Sequence, residues 1–395
     1  MRVFIVCPAR RATGGTELLH QFSKCLKERN VECYMLYLEK EKSLDCPVPD
    51  TFEKYGVKYA SQYIDAEDSI LVLPESQVVQ LDVCQKGIAM IWWLSVDYYI
   101  KACQEFIDEK GMDVYSLKDR KNVMHFVQSQ YAKEFLKNAL GIEESYYLKD
   151  YINDEIVDVA NAYRDRMDRT NYCLYNPMKG LGNLKPIIEN CRPDIQWVPL
   201  KGLKPQEMAV LMCRAKVYVD FGEHPGKDRI PREAAICGCC VITNKQGSAA
   251  YLEDVCIPDS YKIDDMTNTD AVLELIYDCI DNYDERKNEY QEYRTRIAGE
   301  KDEFLRDVDS CLGRLKSLVE NKGIDEEKNV DMQHLMILDS LKKFVDQIGL
   351  RLEVAKLKVE DNDRDGLIND LLDVDYLLHV LQESICYEEV DVAEW

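Results

Sequence analysis

Short apolar runs alternate with amphipathic stretches along the chain up to about Thr267. Runs such as RVFIVC at 2–7 and SILVLP at 69–74 are nearly continuous in apolar residues, as expected for parallel strands buried on both faces. The stretches between them, such as TELLHQFSKCLKERN at 16–30, have the apolar spacing of amphipathic helices. The pattern therefore predicts the strand–helix–strand units of an α/β fold.

A polar, charge-rich stretch at 150–170 interrupts this alternation, which then restarts. The other predicted strands are AMIWWLSV and VMHFVQ before the interruption, and NYCLYNP, DIQWVPL, KVYVDFG and CCVITN after it. We therefore expect two Rossmann-like, doubly wound domains, at 1–165 and 166–320, that face each other across a cleft. In open α/β sheets, ligands bind beyond the carboxyl ends of the strands, so the cleft is the expected site.

Beyond the last predicted strand, long polar helices take over. Residues 321–395 form a predicted helical appendage that holds 19 acidic and 8 basic residues. Within it, Asp361, Asp363 and Asp365 have the spacing of a calcium loop, but position twelve of that loop is Leu372 rather than a carboxylate. An acidic helix start is the favoured interpretation. Whether the appendage binds a protein partner or mediates oligomerisation stays open.

The composition narrows the classes of function. At 395 residues, 46% hydrophobic and 31% charged, the chain is long enough for two domains and has the balance of a globular protein. A net charge of −23 excludes bulk electrostatic binding to nucleic acid. The longest apolar run is too short to span a bilayer, and the N-terminus lacks the pattern of a signal peptide. We expect a cytoplasmic protein and leave peripheral contact with a membrane open.

The 16 cysteines are predicted to be reduced and mostly buried, because most are scattered singly through apolar stretches. Cys237 and Cys240 form a CxxC pair, but no second pair follows. Since a structural zinc ion needs four ligands, plain packing is the favoured interpretation, and no metal site is expected.

The sequence HPGKDRIPREAAICGCC combines groups that suit a nucleotide. Lys227 and Arg229 supply two cations just before a predicted helix, where a diphosphate would also meet the helix N-terminus. Glu233 can accept hydrogen bonds from the two adjacent hydroxyls of a ribose. Near the start of the chain, Gly14 and Gly15 permit close approach of the backbone to a phosphate or sugar. Taken alone, the charged stretch would equally suit a solvated loop.

The N-terminal half offers candidates for an acceptor site. Trp92 and Trp93 lie in a predicted strand and could stack on a sugar face, and Asp97 follows at its carboxyl end. His20, on the first predicted helix, could face the same cleft. Packing in the core is the alternative for the two tryptophans, and a surface or core position is the alternative for the histidine.

The order of GGTE, CLYNPMKG and VYVDFGEHPGKDRIPREAAICGCCVITNKQGSAA resembles the two-domain glycosyltransferases of the B-type fold, over roughly residues 1–300. The likeness is greatest to the retaining family-four enzymes, which include transferases of bacterial surface polysaccharide and lipopolysaccharide synthesis. By this resemblance, Glu233 matches the family glutamate that binds the nucleotide ribose, and Lys179 matches the lysine that meets the diphosphate. Gly14 and Gly15 match the glycine turn that faces the donor phosphates.

The sequence departs from the family pattern in two places. The family's first glutamate, which contacts the donor sugar, falls at Pro225, with Glu223 displaced from it by two positions. The arginine that often precedes the family's Lys-Gly turn is replaced around Asn176. We infer that Lys227 or Arg229 supplies the missing positive charge.

The expected site residues fall into three sets. The donor-binding set is Gly14, Gly15, Lys179, Glu223, Arg229, Glu233, Gly247 and Ser248; the catalytic set is Lys227, Arg229 and Asp97; and the acceptor set is Trp93, Asp97 and His20.

The resemblance implies transfer of a sugar from a nucleoside-diphosphate sugar, bound to the second domain, to a glycan or lipid-linked acceptor held by the first, with retention of configuration. No cofactor and no metal ion are expected. Two alternatives stay open: a nucleotide-sugar epimerase or hydrolase of the same fold, and a catalytically inactive partner subunit, which Pro225 and the acidic appendage suggest.

Overall fold

Two parallel sheets form the framework of the part of the chain that the structure describes. The structure is a computed structural model and describes residues 1–38, 46–110, 117, 120 and 123–322. Met1–Val319 form one compact unit, and Glu320–Trp395 form a second. The predicted appendage beyond Lys322 and its candidate calcium loop lie outside the described residues.

The first sheet lies in the N-terminal half. Its strands are β1 (Arg2–Pro8), β2 (Glu32–Leu38), β3 (Tyr59–Ala60), β4 (Ser69–Pro74), β5 (Ile88–Trp93), β6 (Val123–Val127) and β7 (Tyr146–Tyr147). They are parallel, in the order β3-β2-β1-β4-β5-β6-β7. β4 and β5 are buried along their whole length, as their apolar runs predict. The strand order reverses between β1 and β4, which makes the carboxyl end of β1 a switch point.

The second sheet follows the charge-rich stretch. Its strands are β8 (Thr170–Tyr175), β9 (Gln196–Pro199), β10 (Ala215–Asp220), β11 (Cys240–Asn244) and β12 (Lys262–Ile263). They too are parallel, in the order β12-β11-β10-β8-β9, and the order reverses between β8 and β10. The two predicted open α/β sheets are therefore confirmed.

Helices cover the faces of both sheets. They are α1 (Gly14–Glu28), α2 (Val96–Lys110), α3 (Gln130–Leu140), α4 (Asp154–Tyr163), α5 (Leu181–Asn190), α6 (Pro205–Arg214), α7 (Arg229–Ile236), α8 (Thr269–Asp281), α9 (Tyr283–Arg286) and α10 (Gln291–Lys322). Short 3-10 helices lie at Asp50–Tyr55, Glu75–Val83, Gly247–Ala250, Asp259–Tyr261 and Lys287–Tyr290. Polar caps define where helices begin: Ser129, for example, accepts a hydrogen bond from the backbone of Ala132 at the start of α3. In the described ranges, no helix has the length and apolar character needed to cross a membrane.

The last helix, α10, packs against the first sheet although it follows the second sheet in the chain. Phe304, Val308, Cys311 and Leu315 of α10 are fully buried in one cluster with inward-facing residues of β1 and β4. Asp309 of the same helix forms an ion pair with Arg29 at the end of α1. The core of the first sheet is thus completed by residues that lie far away in the sequence.

Three neighbouring cysteines lie in the core of the second sheet. Cys237, Cys239 and Cys240 are fully buried among apolar side chains. This placement agrees with the interpretation of the CxxC pair as packing.

Candidate functional site

The loop that follows β10 lies against the carboxyl end of the first sheet. The backbone N–H of Val96, three residues after β5, donates a hydrogen bond of 2.8 Å to the carbonyl oxygen of Pro225. A Cβ atom on Gly226 would lie 2.0 Å from the carbonyl oxygen of Leu94. The carboxyl ends of the two sheets therefore approach each other closely, as expected for a site between them.

Gly247 and Ser248 pack against this loop and fix its conformation. Gly247 has a φ of 52°, and a Cβ there would lie 2.0 Å from the carbonyl oxygen of His224. The Ser248 hydroxyl donates to the carbonyl oxygen of Gly226 at 2.6 Å, and the Ser248 N–H donates to the carbonyl oxygen of His224 at 2.9 Å. Both were expected to bind the donor directly. In the structure they fix the loop, and the buried Ser248 hydroxyl is already bound within it.

We expect Gly226→Ala to lower the free energy of unfolding by about 1 to 3 kcal/mol, because its Cβ would overlap a backbone oxygen that cannot move without shifting the end of β5. Gly299→Ala is the matched control, since Gly299 lies in α10 with open space around it and should gain about 0.5 to 1 kcal/mol from the better helix former. Urea unfolding measures both. Equal stability of the two variants would contradict the close packing at Gly226.

Arg229 is bound by residues of the N-terminal half. Its guanidinium group donates to the Glu17 carboxylate and to the Gln21 amide oxygen, both on α1. Its Nε lies 3.6 Å from a carboxylate oxygen of Asp150. The Arg229 side chain also lies 3.4 Å from where a Cβ of Gly14 would be. The predicted cation is therefore at the glycine turn, but carboxylates compensate its charge.

Lys227 and Arg232 belong to a buried ion network. The Lys227 ammonium lies 2.8 Å from one oxygen of Glu300, and Arg232 donates to the other at 2.7 Å. Arg232 also donates to Asp150 at 2.6 Å. All four side chains are less than 10% exposed. The expectation that Lys227 supplies the missing catalytic charge is wrong, because its ammonium is buried and paired with Glu300 of α10.

Glu233 lies on α7 beside this network, with 6% of its surface exposed. Burial raises the pKa of Glu233 to about 7, although the charges of Arg229 and Arg232 lower it. Within the described residues we find no hydrogen bond to its carboxylate. A buried carboxylate with free acceptor oxygens and a shifted pKa is typical of a functional position.

Lys179 lies in the tight turn between β8 and α5. The turn is packed against the residues after β10, because a Cβ on Gly180 would lie 2.4 Å from the backbone of Phe221. The Lys179 ammonium donates to both oxygens of Asp228, at 2.9 and 3.0 Å, and to the carbonyl oxygen of Glu223 at 3.3 Å. Glu223 itself is exposed. Lys179 therefore lies at the switch point of the second sheet, where the strand order reverses between β8 and β10.

His224 is fully buried between two carboxylates. Its Nδ1 lies 3.0 Å from Asp228, and its Nε2 lies 3.9 Å from Asp220. Neither ring nitrogen makes a well-directed hydrogen bond. Asp220 accepts hydrogen bonds from the Tyr218 hydroxyl at 2.7 Å and the Gly222 N–H at 3.1 Å. Neither His224 nor the two aspartates was singled out from the sequence, although DFGEHPGKD places a histidine between acidic residues at a strand end.

Among the described residues, Asp220, His224 and Asp228 form the group whose ligand atoms lie close enough together, within 4.8 Å, to hold a metal ion. Two observations speak against that use. The two ring nitrogens of His224 face different carboxylates, so each carboxylate already lies opposite a ring nitrogen. The Lys179 ammonium also already lies on Asp228. The group fits a set of mutually compensating charges better than a metal site.

The tryptophans predicted to stack on a sugar are core residues. Trp92 and Trp93 are both fully buried. The Trp93 ring packs against Tyr99, and its N–H donates to His125 at 3.1 Å. The stacking prediction is wrong because β5 is covered on both faces, which leaves no ring face for a ligand.

His20 is a core residue as well. It is fully buried, and its ring nitrogens bond to the carbonyl oxygen of Thr16 and the hydroxyl of Tyr37, each at 2.7 Å. The prediction that it faces the cleft is wrong. Asp97 lies in the first turn of α2 rather than at the strand end, half-buried, and accepts a hydrogen bond from Tyr131 at 3.0 Å.

Sequence reasoning also missed a carboxylate at the end of β4. Glu75 is buried and accepts a hydrogen bond of 2.8 Å from the backbone of Leu94, next to the loop contact at Gly226. Burial raises the pKa of Glu75 to about 7, while hydrogen bonds from the backbone lower it. An acidic residue directly after the apolar run SILVLP was the available signal.

Comparison with known proteins gives structural likeness without sequence likeness. No model of a known protein family and no curated protein sequence matches the chain. Among solved structures, the chain is similar to a glycosyltransferase from Rickettsia africae ESF-5, with 12% identity and a TM-score of 0.56, over 81% of this chain and 99% of that one. It is also similar to Anabaena HepE in complex with UDP-glucose, with 9% identity and a TM-score of 0.57, over 80% and 100% of the two chains. Sucrose-phosphate synthase from Thermosynechococcus elongatus matches with 12% identity and a TM-score of 0.54, over 80% and 99%. The chain thus has two parallel α/β sheets arranged like those of B-type glycosyltransferases.

Proposed function

We propose that this protein is a glycosyltransferase that moves a sugar from a nucleoside-diphosphate sugar to a hydroxyl group of an acceptor. The observation that carries the proposal is the meeting of three features at the facing carboxyl ends of the sheets: a glycine turn at the start of α1, the lysine turn after β8, and a buried carboxylate on α7. Likeness to structures such as the HepE complex with UDP-glucose supports the same interpretation.

The three features suit different parts of one donor. Gly14 and Gly15 open a helix of 15 residues, whose N-terminus attracts an anion such as a diphosphate. Lys179 supplies a positive charge at the other sheet. Glu233 can accept hydrogen bonds from ribose hydroxyls. We assign the donor to the second domain, 166–320.

The acceptor is assigned to the first domain, 1–165, with Asp97 as the candidate polar group on that side. In the reaction, the bond between the sugar's anomeric carbon and the diphosphate oxygen breaks, and the electron pair leaves with the diphosphate. The acceptor oxygen forms the new bond, and its proton passes to the departing phosphate. Lys179 and the start of α1 would stabilise the negative charge that develops on the leaving group. We propose retention of configuration, no cofactor, and a glycan or lipid-linked acceptor.

The first test is thermal stability with UDP, GDP, CDP, ADP and NAD. A ligand present at about a hundred times its dissociation constant adds about 2.7 kcal/mol to stability, so we expect a clear upward shift with one nucleoside diphosphate. Lys179→Ala should lose most of this shift, because it removes the cation that faces the diphosphate. Lys185→Ala is the matched control, since Lys185 lies in the exposed i,i+4 pair of α5. A shift with NAD alone, or none with any nucleotide, would contradict the proposal.

An inactive partner subunit is the second candidate, and one observation favours it. Lys179, Lys227 and Arg229 are each paired with a carboxylate, and Pro225 stands where the family has a glutamate. Product analysis with the nucleotide sugar separates the possibilities. Nucleotide binding without turnover would favour the inactive subunit, and free sugar or an epimer formed without acceptor would favour the hydrolase or epimerase.

A further inference from the structure

Four charged or titratable groups form a row behind the proposed diphosphate position. Asp220 extends from β10, His224 and Asp228 from the loop before α7, and Lys179 from the turn after β8. Asp220 and His224 are almost fully buried, while Lys179 keeps 31% of its side chain exposed and ends the row at the surface. The row thus runs from the core to the cleft.

The burial of His224 requires an explanation. A fully buried ring with two poorly bonded nitrogens is costly unless it compensates a nearby charge. Both of its nitrogens face carboxylates, and an imidazolium would balance them. With His224 protonated, two positive groups meet two negative groups and the row is neutral. With His224 neutral, Lys179 alone faces two carboxylates.

We propose that His224, held as an imidazolium between Asp220 and Asp228, loosens the hold of Asp228 on Lys179 and so makes Lys179 available to a donor diphosphate. This inference rests on the proposed function. His224 thus has a positioning role, because it acts through Asp228 and does not itself contact the substrate.

The direction of the pH dependence follows from the same charges. Burial lowers the pKa of His224, but Asp228 and Asp220 raise it further, so that the pKa lies above its ordinary value of 6.5. In the described part of the chain, Asp220, Asp228 and Lys179 are the charged groups that face the ring. As the pH rises through the pKa of His224, the imidazolium loses its proton and the net charge of the row changes from zero to −1. Binding of a diphosphate should therefore weaken on the alkaline side.

The test is calorimetric titration with UDP, GDP, CDP and ADP, each between about pH 6.5 and pH 9. For the nucleotide that binds, His224→Gln, which is neutral at every pH, should bind about tenfold more weakly than the unmodified protein at pH 6.5, the size of a single charge lost at short distance near the protein surface. As the pH rises and His224 of the unmodified protein loses its proton, this difference between the two proteins should shrink. The corresponding nucleoside, which lacks the phosphates, should show no such difference between the two proteins.

His125→Gln is the matched control. His125 is buried beside Trp93, and burial lowers its pKa to about 4, so it is neutral throughout the range. Its variant should keep the pH dependence of the unmodified protein. Because Glu233 titrates near pH 7, the comparison is made between variants rather than between pH values.

An NMR titration of the five histidines, with His224 assigned from the variant, gives a readout that needs no nucleotide. A His224 ring that is neutral at pH 6.5 would overturn the inference. Nucleotide binding whose pH dependence persists in His224→Gln would overturn it as well, while leaving the proposed function intact. Absence of binding by every nucleotide at every pH would overturn both.

Discussion

Arg232→Met should lower the free energy of unfolding by about 3 to 5 kcal/mol, because it removes the guanidinium that bridges two buried carboxylates. Glu300 would keep only Lys227, and Asp150 would keep only the more distant Arg229. Arg232 is fully buried and bonds to both at distances below 3 Å. Methionine fills a similar volume, so the loss of stability measures the effect of the missing charge rather than the effect of a cavity. The Lys227 ammonium pairs only with Glu300 in this network, and so it cannot replace the guanidinium at Asp150.

Urea unfolding of this variant and of Arg192→Met provides the measurement. Arg192 forms ion pairs with Asp281 and Asp194 near the surface, where loss of each pair costs less than about 1 kcal/mol. Equal losses in the two variants would show that the buried network contributes nothing beyond a surface pair.

The same network predicts an acid limit to stability. Burial raises the pKa of Asp150, but Arg232, Lys227 and Arg229 lower it, and the balance lies below the ordinary value of 3.8. The ionised carboxylate therefore stabilises the fold above that value, and the contribution is lost as the pH falls through the lower pKa of the folded state. In Arg232→Met this acid sensitivity should diminish.

Glu233→Gln should stabilise the free protein at pH 8 and weaken nucleotide binding. The pKa of Glu233 is raised from 4.5 to about 7 by burial, so the folded protein favours the protonated form. The associated stability is present below the unfolded pKa and is lost as the pH rises through about 7, at a cost of up to about 3 kcal/mol. Glutamine is neutral and avoids this cost. The variant also lacks the charged acceptor for the ribose of the nucleotide. Loss of a hydrogen bond to a charged group should weaken nucleotide binding by about 1.5 to 3 kcal/mol.

The measurement combines urea unfolding at pH 5 and pH 8 with thermal shift in the nucleoside diphosphate that binds. We expect the variant to exceed the unmodified protein in stability at pH 8 and to match it at pH 5. Glu253→Gln, at an exposed position, should change neither property. A Glu233→Gln protein that is less stable at pH 8 and binds nucleotide as before would contradict both the buried charge and the ribose assignment.

The pattern of apolar runs was sufficient to predict the two sheets. SILVLP and IAMIWW are β4 and β5, and both are buried along their whole length, as expected for parallel strands covered on both faces. The strands of two residues, such as β3, could not be predicted, because pairing with a neighbour defines them rather than their own composition. The packing of α10 against the first sheet has no local signal either.

The site could be predicted only where a role depends on local geometry. The turn at Gly180 has a φ of 64°, a backbone requirement that the glycine in the sequence signals directly. Lys227 was misjudged because its partner, Glu300, is brought to it by the fold and not by the sequence. Trp93 was misjudged for a similar reason, since its strand could have been open on one face. In each case the deciding contact comes from a distant part of the chain.

The return of α10 to the first sheet constrains how the protein is made. A ribosome synthesises the N-terminal strands first, yet Phe304, Val308 and Leu315 complete their core. Until those residues emerge, the apolar surface that they cover on the first sheet is exposed to water, a condition that favours association with chaperones or with other nascent chains. The N-terminal half therefore cannot reach its final packing until almost the whole of the first unit has been synthesised and has left the exit tunnel.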